Sequence, residues 1–222
     1  MTSTRRDLTL IERMVMKTIR ALTEASEGYF AAFDEEMIRS WGVRGFLKAC
    51  AIMAKHWARI EKQFGVENAH MVAFYSSMWN GCTYCGYGHL YAHNLNYFQR
   101  TGQLFPMRED EIEVRMRATD EEILSWVRTH LSGPEFGDKL RLIQRLYAVR
   151  MGSLEPGDAA EDEVLRLSIP FYSFINECSI VVESLAPPIG RIAKQKALIE
   201  RYQEARAAAA AGTPADPNNA QT

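Results

Sequence analysis

Residues 80–89 read NGCTYCGYGH and place two cysteines and a histidine in the pattern Cys-x-x-Cys-x-x-x-His. The Asn-Gly dipeptide favours a turn, so it predicts that one helix ends here and another begins at about Cys82 or Thr83. Both sulfurs then lie in the first turn, where unpaired N–H groups and the helix dipole stabilise a thiolate. The spacing places Cys82, Cys85 and His89 on one helix face. An imidazole close to a thiol can take its proton, as a nucleophilic cysteine requires.

The composition is that of a folded chain without a strong charge bias. Of 222 residues, 47% are hydrophobic and 24% are charged, which suits one globular domain or a domain with appendages. The formal net charge is -2 and no basic block is present, so charge gives no support for binding to nucleic acid or to an anionic membrane surface. No stretch approaches about 18 uncharged apolar residues, so we expect no membrane-spanning segment.

The cysteine content indicates a reducing compartment. The chain has four cysteines, too few at this length for the disulfide framework of a secreted protein. Charged residues within 12–20 interrupt the apolar region that a twin-arginine export signal would need after Arg5 and Arg6. We therefore expect a cytoplasmic protein whose Cys-x-x-Cys pair is redox-active or metal-binding rather than structural.

Apolar residues recur at helical spacing along most of the chain, and no convincing strand pattern is present. The fold class predicted from this periodicity is all-α, with roughly eight to ten helices. The predicted helical segments are 8–22, 29–41, 46–64, 68–79, 82–102, 121–131, 136–151, 159–170, 171–185 and one that runs from after Pro188 to 207–211.

Local signals set several of these boundaries. Gly65 is a natural helix stop, and Asn68 can cap the helix that follows. Thr119 and Asp158 can cap the helices that begin after them. Pro170 should kink or interrupt the helix that contains it. The resulting division is an N-terminal helical extension (1–28), a helical domain (29–185), a C-terminal helix (186–211) and a disordered tail (212–222).

Several other interpretations compete with a reactive dithiol. The two cysteines could be small buried hydrophobic residues. A haem attachment site is excluded, because it requires histidine directly after the second cysteine and Gly86 stands there. Thioredoxin-type chemistry also uses a Cys-x-x-Cys pair, but that fold needs strands around the motif.

Zinc is the main chemical rival, with Cys82, Cys85, His89 and His93 as candidate ligands. On one straight helix, residues 82 and 93 would be about 16 Å apart at the usual rise per residue. That distance is too long for a shared tetrahedral ion, and no second Cys-x-x-Cys supplies another ligand. We therefore favour a dithiol without a metal, and we expect His93 to have a structural role.

The all-helical pattern together with this motif resembles the alkylhydroperoxidase D-like branch of the carboxymuconolactone decarboxylase superfamily. The matching block is residues 71–94, where an apolar helix precedes the motif Asn-Gly-Cys-x-Tyr-Cys and then His89. The helices after Pro106 match only in general character. The resemblance implies a compact multi-helix bundle with an N-terminal helical extension.

The resemblance also implies roles for the motif residues. Cys85 would attack the peroxide and become a sulfenic acid, Cys82 would resolve it to a disulfide, and His89 would belong to a proton relay. That relay usually starts from a glutamate twelve residues before the first cysteine, where this chain has His70. Histidine can also pass protons near neutral pH, and Glu67 is a second candidate one turn earlier. The alternative for His70 is an ordinary helix histidine that is half-exposed on the surface.

The remaining reactive or aromatic residues have less specific signals. Cys50 and Cys178 have no acid–base neighbours in sequence, and we expect both to be inert buried thiols. Aromatic residues surround the motif. They could pack in the core or in a subunit interface, or they could line an apolar substrate pocket. These residues are Trp79, Tyr84, Tyr87 and Tyr91.

The leading functional hypothesis is a cytoplasmic dithiol peroxidase or disulfide reductase without a cofactor or metal. It would reduce a peroxide and be reset by a dithiol or redoxin-type reductant. One alternative is a decarboxylase-type acid–base enzyme, which does not need a Cys-x-x-Cys. Another is a non-catalytic helical oligomer that binds a partner or senses redox state. Members of the resembled superfamily are commonly trimers or hexamers, so the resemblance implies a homo-oligomer. The many apolar residues on the predicted helices could also leave faces for a partner subunit.

Overall fold

The computed structural model describes residues 6–212, and this part of the chain contains helices, turns and loops but no strand. The all-α prediction is therefore confirmed for these residues, whereas the predicted tail lies outside them except for Gly212. The α-helices here are α1 (Leu10–Glu27), α2 (Asp34–Trp79), α3 (Thr83–Thr101), α4 (Ile112–Arg115), α5 (Asp120–His130), α6 (Gly137–Arg150), α7 (Ala159–Ser179) and α8 (Lys196–Ala210). Short 3-10 helices are Glu109–Glu111, Pro134–Phe136 and Arg191–Lys194.

The long helix α2 is kinked at two glycines. Gly42 has φ +66° and Gly65 has φ +76°, a left-handed conformation that interrupts helical geometry and favours glycine. The predicted stop at Gly65 is confirmed. The predicted cap at Asn68 is wrong, because the helix resumes right after Gly65 and the Asn68 side chain instead accepts a hydrogen bond from Lys139 at 3.2 Å. The first section begins at Asp34, later than the predicted residue 29.

The motif helix α3 forms where the sequence predicts it. The Asn80-Gly81 turn precedes it, and the chain leaves it at Gly102, whose φ of +69° makes it a left-handed cap. Its buried face joins the last section of α2 and helices α5 to α7 in the main core. The core side chains include Phe74, Tyr75, Leu90, Ile143 and Leu165. The two motif cysteines lie in a separate, smaller buried cluster with Tyr84 and Ala186.

Helix α7 departs from the prediction at two points. Pro170 does not interrupt it, although proline removes one helical hydrogen bond. Packing against α2 and α6 through buried residues on both sides of Pro170, such as Leu165 and Tyr172, holds the helix together. The helix ends at Ser179 rather than continuing to Leu185. Residues 180–190 instead cross the start of α3, where the Ile189 N–H donates to the carbonyl of Gly88 at 3.1 Å.

The two terminal helices pack on different parts of the bundle. Met16 of α1 contacts a cluster with Met37 and Phe46 of α2. Leu198 and Tyr202 of α8 pack against α3. Within residues 6–212, none of the helices combines the length and the hydrophobicity that crossing a bilayer requires. The division into an extension, a domain and a C-terminal helix stays a prediction.

Candidate active site

The two motif cysteines occupy the start of α3. Cys82 is the N-cap residue with extended backbone, and its sulfur accepts the backbone N–H of Cys85 at 3.5 Å. An N-cap side chain satisfies one of the N–H groups that the first turn leaves free. The sequence predicted both sulfurs at this end of the helix, and the structure confirms that placement.

Ser179, the last residue of α7, contacts both sulfurs. Its Oγ lies 3.1 Å from the Cys82 sulfur, and the Cys85 thiol donates to it at 3.2 Å. Asn176 donates to the same oxygen at 3.3 Å, and Asn80 in turn donates to the Asn176 side chain at 2.9 Å. These contacts tie the turn before α3 to the end of α7. They also place a hydroxyl and an amide beside the dithiol.

The acidity of the two thiols differs from the expectation. Hydrogen bonding from Cys85 lowers the pKa of Cys82 to about 6, assisted by Ser179 and the Cys85 backbone. The same interaction, together with burial, raises the pKa of Cys85 well above its ordinary value. The reduced pair thus holds its negative charge on Cys82, with Cys85 protonated. This direction is opposite to the one expected for Cys85, because the hydrogen bond between the two side chains and burial both favour the neutral Cys85 thiol, and contact with Ser179 offsets them only in part.

Both sulfurs are shielded from solvent. Cys82 is 0% exposed and Cys85 is 3% exposed. The segment after α7 covers them with Val182, Ala186 and Ile189. Gly88 permits this close approach, since a Cβ there would lie 2.7 Å from atoms of Ala186 and Ile189. A reactant that reaches the dithiol must therefore be small or must displace this segment.

His89 is held by a second imidazole rather than by a cysteine. Its Nδ1 lies 3.1 Å from Nδ1 of His70. The Trp57 ring packs on both imidazoles, with its centroid 5.9 Å from that of His89 and 4.7 Å from that of His70. No hydrogen bond joins His89 to Cys85 within the described residues. Burial lowers the pKa of His89 to about 3 and that of His70 well below its ordinary value. Both rings are neutral at pH 7, so in the resting site the imidazole of His89 does not hold the Cys85 proton, contrary to what the spacing suggested.

His70 nevertheless lies where a relay residue would lie. It is 2% exposed, so the alternative of a half-exposed surface histidine is wrong. Its hydrogen bond to His89 connects α2 to the motif helix. A pair of neutral imidazoles can pass a proton by exchanging tautomers. The geometry therefore brings His70 and His89 together, whereas spacing alone left this open.

Glu67 faces other partners. Its carboxylate pairs with Arg100 and Lys139. Burial alone would raise its pKa, but hydrogen bonds from Arg100 and Lys139 lower it to about 2. Its backbone carbonyl accepts a hydrogen bond from Nδ1 of His93 at 2.9 Å. Glu67 is thus a structural anion that stays ionised, and the structure gives it no contact with the thiols.

The other two cysteines lack the surroundings of the motif pair. Burial raises the pKa of Cys50 to about 11 and also raises the pKa of Cys178. Both thiols are therefore protonated at pH 7, as expected for inert residues. The four cysteines of the chain are all free thiols.

Sequence reasoning missed the contribution of α7. Tyr172, Asn176 and Ser179 are spaced by four and three residues, so they share the face that meets the start of α3. The signal present in the sequence was this spacing of three polar side chains, and the structure shows that the face they share is buried. Nothing in the sequence said which element this face would meet.

No family model, curated protein or solved structure matches the chain. Among residues 6–212, no group of three or more histidine, cysteine or carboxylate side chains could hold a metal ion.

Proposed function

We propose that this protein is a dithiol peroxidase of the alkylhydroperoxidase D-like type, which reduces a hydroperoxide while Cys82 and Cys85 close a disulfide. The observation that carries the proposal is the shared contact with Ser179. Both sulfurs lie within 3.2 Å of one hydroxyl oxygen, at 3.1 and 3.2 Å. Reacting groups that are already adjacent need little further ordering, which favours formation of a bond between them.

The charge distribution supports a thiol-based reaction at neutral pH. A pKa of about 6 keeps Cys82 largely ionised at pH 7. In the proposed order, the Cys82 thiolate takes the proton of the Cys85 thiol while Cys85 attacks the terminal peroxide oxygen. An S–O bond forms, the O–O bond breaks, and the departing alkoxide takes the proton from Cys82.

The second half of the reaction closes the disulfide. The Cys82 thiolate attacks the sulfenic sulfur of Cys85, an S–S bond forms and hydroxide leaves. The proton released when Cys82 first ionised neutralises this hydroxide, so the products are an alcohol, water and a disulfide. His89 and His70 provide a proton path for this exchange, because neutral hydrogen-bonded imidazoles both donate and accept.

The reaction needs an external dithiol or redoxin-type reductant to restore the two thiols. The proposal further includes a cytoplasmic location, where thiols are kept reduced, and a homo-oligomer of the trimeric or hexameric kind. No cofactor takes part, since sulfur carries the electrons.

The test is peroxide consumption by the full chain with dithiothreitol as reductant. We expect the unmodified protein to turn over peroxide in the presence of dithiothreitol and to lose two thiols per peroxide in its absence. Cys82→Ser or Cys85→Ser should lose turnover. Cys50→Ser and Cys178→Ser are matched controls, since these thiols lie outside the site, and should keep it. No consumption by the unmodified protein contradicts the proposal.

Trapping assigns the order of the cysteines. A 1,3-dione such as dimedone reacts with sulfenic acids, so Cys82→Ser treated with peroxide should carry the label on Cys85. The opposite result is a label on Cys82 in the Cys85→Ser protein and no label in the Cys82→Ser protein. It would make Cys82 the residue that attacks the peroxide. Slow loss of thiols at random, without a disulfide, would favour the redox-sensing or acid–base alternatives.

A further inference from the structure

The hydroxyl of Tyr172 is a buried polar group that no mechanism above uses. Tyr172 is 4% exposed, and its oxygen has no hydrogen-bond partner within residues 6–212. Buried hydroxyl groups in native proteins are nearly always paired, with protein, water or ligand. An unpaired hydroxyl beside a candidate active site therefore points to a ligand that completes it.

Tyr172 lies on the Cys85 side of the site. It precedes Asn176 and Ser179 by one and two turns on the face of α7 that meets the dithiol. Its ring meets His89 edge-on, with centroids 6.1 Å apart. Burial raises the pKa of Tyr172, and the nearby Cys85 sulfur acts in the same direction whenever it is ionised. The hydroxyl thus stays protonated at pH 7 and can act as a hydrogen-bond donor.

We propose that Tyr172 is a further catalytic residue of this site, whose hydroxyl hydrogen-bonds to the leaving oxygen of a small hydroperoxide held between Cys85 and His89. This inference rests on the proposed peroxidase function. It is argued from three groups: the Cys85 thiol, the His89 imidazole that the Tyr172 ring meets edge-on, and the unpaired Tyr172 hydroxyl.

The role of the phenol follows from where charge develops. When Cys85 attacks, the O–O bond breaks and the electron pair moves onto the departing alkoxide. A donor aimed at that oxygen stabilises the negative charge in the transition state more than in the bound peroxide. The phenol keeps its own proton, and the alkoxide becomes the alcohol with the proton that Cys82 took from Cys85. Sulfur is oxidised and the peroxide is reduced, with no other reactant.

The experiment compares two oxidants on the full-length Tyr172→Phe protein. Oxidation of the dithiol by hydrogen peroxide should slow by about 100- to 1,000-fold, the usual range for loss of one such donor. Oxidation by 2,2′-dipyridyl disulfide, whose leaving group is sulfur and not oxygen, should change by less than about twofold. Tyr75→Phe is the matched control, because the Tyr75 hydroxyl is also buried without a hydrogen-bond partner in residues 6–212 while its ring, unlike that of Tyr172, does not meet His89, and it should leave both rates unchanged.

Each outcome decides the matter. Equal slowing with both oxidants, or no slowing with peroxide, overturns the role of Tyr172 while leaving the peroxidase proposal intact. If the unmodified protein does not react with peroxide, the function itself fails and this inference fails with it. A thermal melt of each variant identifies loss of folding, and the ratio of the two oxidation rates stays informative when both variants are partly destabilised.

Discussion

The Nδ1 atoms of His70 and His89 lie 3.1 Å apart and join α2 to the motif helix inside the core. Because a neutral imidazole carries one N–H, one ring must donate from Nδ1 while the other accepts there. When a proton moves along this bond, the Nε2 of the donor ring takes up a proton and the Nε2 of the acceptor ring releases one, so both rings stay neutral and change tautomer. His70 is thereby linked to the site, although it touches neither cysteine in the contacts that the structure describes.

His70→Gln should lower peroxide turnover by about one to two orders of magnitude, the usual effect of losing acid–base help. Glutamine preserves volume and polarity but does not titrate. His70→Glu, which places the relay residue of the resembled superfamily at this position, should keep much of the rate. His93→Gln is the control, since His93 is also buried but bonds the backbone of Glu67. Steady-state turnover measures both, and an equal loss in the two variants would assign His70 to packing.

The acidity of the dithiol gives a second prediction. In Cys85→Ser the remaining Cys82 keeps the helix N–H, Ser179 and a hydroxyl donor, so its alkylation by iodoacetamide should reach half its maximal rate near pH 6, in line with a pKa of about 6. In Cys82→Ser the remaining Cys85 should stay mostly protonated at pH 7 and react slowly. Faster alkylation of Cys82→Ser below pH 7 would contradict the charge distribution.

Ser179→Ala removes the hydroxyl that both sulfurs contact. A thiolate without this donor is less stable, so the alkylation midpoint of Cys82 should rise by roughly one pH unit, which corresponds to about 1.4 kcal/mol. Ser173→Ala is matched to it, because Ser173 lies on the same helix and contacts Asn80 rather than a sulfur. The same midpoint in both variants would remove Ser179 from the site.

Buried neutral histidines make stability depend on pH. Burial lowers the pKa of His89 and of His93 to about 3 and also lowers that of His70, so the unfolded chain binds more protons below pH 6.5 than the folded one. Their stabilising contribution is complete above pH 6.5 and falls as the pH drops toward the folded pKa values. Asp34 has the opposite effect on stability below pH 7, because burial raises its pKa to about 7 and the folded chain then binds the extra proton.

Burial also lowers the pKa of His56 to about 4. Since four histidines outweigh one carboxyl, the free energy of unfolding should decrease by about 3.5 kcal/mol per pH unit near pH 5.5. Urea titrations at pH 7.5, 6.5 and 5.5 measure this dependence. His93→Gln should make the dependence shallower, because one proton-binding group is then removed from the unfolded chain. A free energy of unfolding that is constant over this range would be inconsistent with buried neutral imidazoles.

Self-association is expected through the outer face of α1. This face carries exposed apolar side chains, which are Leu10, Ile11, Met14 and Leu22, exposed by 73, 70, 64 and 64%. Ile11→Glu with Leu22→Glu should reduce the mass measured by light scattering at micromolar concentration. Val114→Glu is the control: it changes an apolar residue that is 80% exposed on another helix, and it should leave the measured mass unchanged. A monomeric unmodified protein would contradict the prediction.

The sequence by itself determined the features that depend on neighbours along the chain. Helical periodicity, the stop at Gly65 and the turn before Cys82 follow from local backbone preferences and spacing, and the structure confirms them. The same locality explains the errors at Asn68 and Pro170, where a contact with Lys139 and packing of α7 outweighed local preference.

Only the tertiary structure decided which distant groups complete the site. Ser179 reaches Cys82 across 97 positions of sequence, and His70 reaches His89 across 19. Side-chain spacing predicts a shared helix face, but it does not predict which helix covers that face or which hydroxyl enters it. Thiol acidity depends on these contacts and on burial, because both change the energy of a charge far more than position along a helix does. That is why the sequence located the dithiol, while the packing of α7 against α3 set its charge.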